Sequence, residues 1–213
     1  MIVSSMTSEE IRTTLWKEWS NKQPWVEECK KVFRRSVIKS SHFPIDKIYE
    51  RQNKGLLFVL HFFACNKKNA DVPIITSYCI YDLPEGKYAA SVSINGIMQL
   101  YPPHFFHRYK ERILKDDTIS PVELIKLYFT RNSGCVISVK NMNFESIGMT
   151  YDEFLTGDHF DSVATCDEGY IFCKLQGRLQ IMKTIISGDM VFEKQRPLFD
   201  KLRVEFNRST MAL

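Results

Sequence analysis

The chain has 213 residues, 44% of them hydrophobic and 13% aromatic, with a formal charge of +4. That content of large apolar side chains excludes a disordered protein, and the length suffices to bury a core without disulfide staples. The charge excess suits a polyanionic partner but lies far below that of a dedicated nucleic-acid binder, and the longest apolar run, 55–65, is interrupted by His61 and falls short of the roughly 18 to 20 residues that span a bilayer.

Taken in order, Ile11, Leu15, Trp16 and Trp19 recur at helical spacing behind Ser8 as N-cap, with Glu9 and Glu10 in the first turn. Pro24 opens a second helix to about residue 40, with Trp25, Cys29, Val32, Phe33 and Val37 on one face and Lys30, Lys31, Arg34 and Arg35 on another. That basic face could meet phosphates, although such a run is also the ordinary solvated side of a helix. After Pro44 the period changes. Segments 45–52, 56–65, 74–81 and 88–94 are rich in β-branched and aromatic residues and predict an antiparallel meander, joined by turn residues at 53–55, 66–73 and 83–86. His61 lies inside the second of these strands, as core packing or in a buried hydrogen bond.

Pro102 and Pro103 then open a helix to about residue 115. Ser120, Pro121 and Glu123 form the capping-box signature of another. A strand is predicted at 135–140, and 141–158 mixes turn residues with a short helix at 151–155, as a variable insertion would. Segments 161–165, 170–175 and 178–186 predict a second meander, and 189–207 a helix kinked or split at Pro197. The expected architecture is α+β: one domain over 1–213 with a mainly antiparallel sheet, residues 1–42 as a helical N-terminal extension, a central helix pair and a C-terminal helix.

Six cysteines, none in a Cys-x-x-Cys pair, suit reduced core thiols better than a disulfide framework or a zinc site. No basic n-region precedes an apolar stretch at the N-terminus, which for a complete chain implies retention in the cytoplasm. The glycines are dispersed at turns, with no phosphate-binding loop and no Gly-x-Ser-x-Gly elbow, and no cofactor is expected.

Chemistry concentrates at 101–112, Tyr-Pro-Pro-His-Phe-Phe-His-Arg-Tyr-Lys-Glu-Arg. On a helix His104, Arg108 and Arg112 fall on successive turns of one face, with His107 on its flank. Guanidinium groups neutralise a phosphodiester and its pentavalent transition state, while an imidazole moves a proton near neutral pH. RNA cleavage through its own 2′-hydroxyl needs those parts and no metal. In ordinary structural use the same residues would pair with acids and cap the helix.

The pattern His-x-x-x-Arg-Tyr-x-Glu-Arg at 104–112, after a strand and a proline, resembles the helix signature of metal-independent ribonucleases and toxins of the barnase, EndoU, colicin and RelE-like superfold. Residues 181–187, Ile-Met-Lys-Thr-Ile-Ile-Ser, resemble its late strand ending in Lys-Thr. The resemblance implies His104 as general base or acid, Arg108 and Arg112 as phosphate or structural arginines, Thr184 as a phosphate contact, and Lys183 as a weaker candidate expected on the opposite sheet face. It also implies RNA as ligand, with an inhibitory protein as a further partner; no counterpart covers about the first 95 residues. The rival reading is a noncatalytic module that binds a protein or nucleic acid. A third makes His104 and His107 metal ligands, but two arginines beside them would repel a cation, and the further ligands such a site needs, from Asp116, Asp117 or the 158–161 cluster, require the fold to bring them in.

Overall fold

A computed structural model describes residues 2–92, 96–132, 137–138, 162–176 and 178–211. The chain is α+β with mainly antiparallel pairing, two N-terminal helices, a central helical pair and a C-terminal helix. It divides into two compact units, Met1–Met98 and Gln99–Leu213. The predicted strand at 135–140 is described only at Ile137–Ser138, while the predicted helix at 151–155, Cys135 and the 158–161 cluster lie outside the described residues.

In the first unit, helices α1 (Ser8–Ser20) and α2 (Gln23–Lys39) precede strands β1 (Ile45–Asn53), β2 (Leu56–Ala64), β3 (Ile74–Leu83) and β4 (Gly86–Val92). The cap of α1 is Thr7, one residue before the expected Ser8. Its hydroxyl accepts from the Glu10 amide while the Glu10 carboxylate accepts from the Thr7 amide, a complete capping box. The four strands run antiparallel in the order β1-β2-β3-β4. Lys54 and Gly55, with φ of 50° and 79°, make the two-residue turn between β1 and β2, whose twist requires positive φ at both positions. Cys29, Phe33 and Val37 of α2 pack on Leu60, Phe62 and Ala64 of β2, and Trp19 of α1 meets Phe58 at 5.5 Å between ring centroids. His61 points off the other face of β2. It is 4% exposed, and neither ring nitrogen has a hydrogen-bond partner; Asp46 Oδ2 stands 3.6 Å from Nε2, beyond hydrogen-bonding range.

The second unit holds, from Gln99 onward, β5 (Met98–Tyr101), then α3 (Pro103–Tyr109), α4 (Pro121–Arg131), β6 (Ile137–Ser138), β7 (Ser162–Cys166), β8 (Gly169–Gln176), β9 (Leu179–Ile186) and α5 (Arg196–Met211), with strand order β5-β9-β8-β7-β6. The helix expected to reach 115 is α-helical only to Tyr109. A wider π turn, Lys110–Leu114, follows, closed by the Lys115 amide donating to the Lys110 carbonyl at 2.8 Å, with Lys115 at φ 55°. Ser120 caps α4 through the Glu123 amide. Pro197 sits in the first turn of α5, where its missing N–H costs nothing, so the proline begins this helix rather than kinking it, and 3₁₀ turns at Gly188–Met190 and Glu193–Gln195 lead in.

Aromatic side chains lock α3 and α4 together: Tyr101, Phe105, Phe106 and Tyr109 each face Tyr128 with centroids 5.1 to 5.8 Å apart. Glu168, in the turn between β7 and β8, accepts from the Tyr109 hydroxyl, from Asn132 Nδ2 at 2.9 Å and from Arg131 at 3.2 Å. On α5, Phe199 packs edge-on against Tyr170 and Arg203 donates to the Cys166 carbonyl at 2.7 Å. Cys29, Cys79, Cys166 and Cys173 are buried free thiols, and Cys65 is an exposed one. Among the described residues no helix is long and apolar enough to cross a membrane.

Candidate functional site

The sheet of the second unit positions the candidate residues. β5 is four residues long against eight in β9, and its Gln99 meets Gln180 near the start of β9. The far half of β9 is therefore beyond the reach of β5, and its backbone polar groups on that edge need other partners. Pro102 turns the chain out of β5, and Pro103, pre-set for a first helical turn, starts α3 alongside β9.

The side chains of α3 and its π turn supply the donors. Arg112 Nη1 donates to Thr184 Oγ1 at 3.0 Å and to the Ile185 carbonyl at 3.1 Å. The Lys183 backbone lies beside His104 and acts on its imidazole. Lys183 is the extra residue of a β-bulge, since Phe172 faces Thr184 while Cys173 faces Met182. A bulge re-aims the residues around it. The alternation that assigned Lys183 to the face away from Thr184 thus breaks at this residue, and its charge acts on the imidazole.

Electrostatics set the states of these groups. His104 is exposed, yet its pKa lies below the ordinary imidazole value, first from partial desolvation and then from the Lys183 and Arg108 charges, with the Lys183 backbone opposing. The neutral, basic imidazole is favoured. Arg108 is exposed and pairs with Glu111 at 2.7 Å. That contact holds the Glu111 carboxyl low, aided by the Arg112 and His107 charges. Arg112 is half-buried, and burial together with the Arg108 charge lowers its pKa.

The straight row expected from a 3.6-residue spacing therefore divides. Arg112 reaches Thr184 and the Ile185 carbonyl of β9, His104 is exposed beside Lys183, Arg108 faces solvent beside Glu111, and His107 is exposed on the flank. Thr184 is drawn in through Arg112. The bulge at Lys183 interrupts strand alternation there, and a bulge has no signature in the order of Met182, Lys183 and Thr184. The Glu168 network went unread because Glu168 looks like any turn residue until Tyr109, Arg131 and Asn132 gather on it. Among the described residues no group of three or more His, Cys, Asp or Glu is placed to hold a metal ion. No family model, curated protein or solved structure matches this chain.

Proposed function

We propose that the His104 face of the second unit recognises phosphodiesters and cleaves RNA without a metal ion. The observation that carries this reading is the placement of two cations, Lys183 and Arg108, close enough to act on the imidazole of His104, which partial desolvation first and then those charges hold below its ordinary pKa. Such a site attracts an anion and presents it with a base. His104 takes the proton of the 2′-hydroxyl as its oxygen bonds to phosphorus, the bond to the 5′-oxygen breaks, and that oxygen is protonated by water or by His107. Arg108 and Lys183 bear the charge growing on the phosphate oxygens. Thr184 accepts from Arg112 and keeps its own O–H to donate to phosphate, so Arg112 is a positioning residue. RNA as the substrate rests on the resemblance to metal-independent ribonucleases and toxins, as does an inhibitory protein partner.

One observation favours the noncatalytic reading: both guanidinium groups already have protein acceptors, Glu111 for Arg108 and Thr184 with Ile185 for Arg112. Incubating the parent chain and His104→Ala with a mixed RNA pool, with and without chelator, separates the two. The cleavage reading expects activity that survives chelator and falls by about 10²- to 10⁴-fold in the variant, the usual size of a lost acid-base group. RNA that is bound and left intact under every condition establishes the binding module instead, and activity abolished by chelator contradicts the metal-free mechanism.

A further inference from the structure

The basic run of α2 does not behave as one face. Arg34 donates to Asp71 at 2.6 Å and Lys30 to Glu27 at 2.7 Å, so these two cations are neutralised on one flank. Arg35 belongs to the other flank. Ser36 accepts from Lys47 of β1 at 3.0 Å, which marks the side of α2 that lies beside the strand. Val32 and Lys39 are one turn from Ser36, and Arg35 is one turn from both. Lys47, Tyr49 and Arg51 sit opposite Phe62, Leu60 and Phe58, and so share the sheet face that α2 covers. Asp46 and Glu50 take the reverse face, as strand alternation requires.

Arg35, Lys39, Lys47 and Arg51 therefore line one flank. Among the described residues, Arg35 and Lys39 make no ion pair, and Lys47 donates only to a hydroxyl. Glu28 is the acidic side chain there; its charge and that of Arg51 both act on Cys29. The cations form a row rather than a point. Arg35 and Lys39 are one helical turn apart, about 6 Å along the axis, and Lys47 and Arg51 are about 13 Å apart along the strand. A single phosphate cannot span them, whereas a chain of phosphates can. A membrane surface fits poorly, since the apolar face of α2 is spent on the core through Cys29, Phe33 and Val37.

We infer that this flank of the first unit binds the sugar-phosphate backbone of a single nucleic-acid strand. The inference does not depend on cleavage at His104, because it concerns equilibrium binding alone. The test uses the full chain and a fluorescein-labelled 2′-O-methyl oligouridylate, which cannot be cut through its 2′-oxygen, with anisotropy read across a salt series. Four neutralised phosphates give a slope of log affinity against log salt of about −2.8, at about −0.7 each. Arg35→Gln with Lys39→Gln should make that slope shallower by about 1.4 and weaken binding at least tenfold at low salt, while Lys30→Gln with Arg34→Gln, on the paired flank, should leave the slope unchanged. These exposed positions make loss of fold avoidable, and circular dichroism checks it. Absence of binding in the parent, equal losses in both double variants, or equal competition by polyglutamate or phosphatidylserine vesicles would overturn the inference.

Discussion

At the scale of single residues, His61 shows how burial acts against a titrating group. Desolvation lowers its pKa, and the Asp46 carboxylate, 3.6 Å from Nε2, opposes that effect without overcoming it. An unfolded histidine titrates near 6.5. Below that pH the unfolded chain binds the proton more readily than the folded one, so stability rises with pH there. The contribution is present in full above about 6.5 and is lost as pH falls through that value toward the lower folded pKa. Urea unfolding at pH 7.5, 6 and 5 should show a steeper acid loss in the parent than in His61→Leu; parallel curves would mean that the histidine is solvated in the folded state. The sequence could place His61 inside a strand, since apolar residues surround it from Leu56 to Ala64. It could not say that both nitrogens would lack partners, which depends on the register setting Ile48 and Thr76 beside it.

At the scale of elements, the π turn and the bulge bring α3 to the β9 edge. Arg112 is the tie, with one nitrogen serving a hydroxyl and a backbone carbonyl. Hydrogen bonds to a charged donor contribute about 1.5 to 3 kcal/mol each, and since the two acceptors share a nitrogen, Arg112→Met should cost about 2 kcal/mol in denaturant unfolding. Arg112→Lys should recover part of the loss, because the two acceptors are served by one nitrogen and an ammonium carries three donors. Unchanged stability with loss of RNA cleavage would instead make Arg112 a substrate contact. Regular pieces such as β2, β3, β8 and the α4 start were legible because β-branched and aromatic runs between turn residues, or a Ser-Pro cap, dictate them locally. The π turn at Lys110–Leu114 and the bulge at Lys183 were not, because both answer to a neighbouring element rather than to their own residues. The same holds for the α2 run: spacing put Lys30, Lys31, Arg34 and Arg35 together, and only Asp71 and β1 separate them by partner.

At the scale of the whole molecule, a charge of +4 understates the fields that matter. Each unit gathers cations locally, around His104 in one and along α2 and β1 in the other, while acids such as Glu111, Glu27 and Asp71 neutralise their neighbours. Net charge alone therefore carried little information about partners. His104 is proposed as a depressed imidazole waiting for an anion. The most direct measurement is its NMR titration in the full chain, assigned with His104→Ala, free and with saturating oligouridylate in its uncleavable 2′-O-methyl form. Desolvation and the Lys183 and Arg108 charges should give a pKa below 6.5 in the free protein, and a rise when phosphates neutralise those cations. A His104 that titrates at or above the ordinary value, and does not respond to the oligonucleotide, would contradict the proposal.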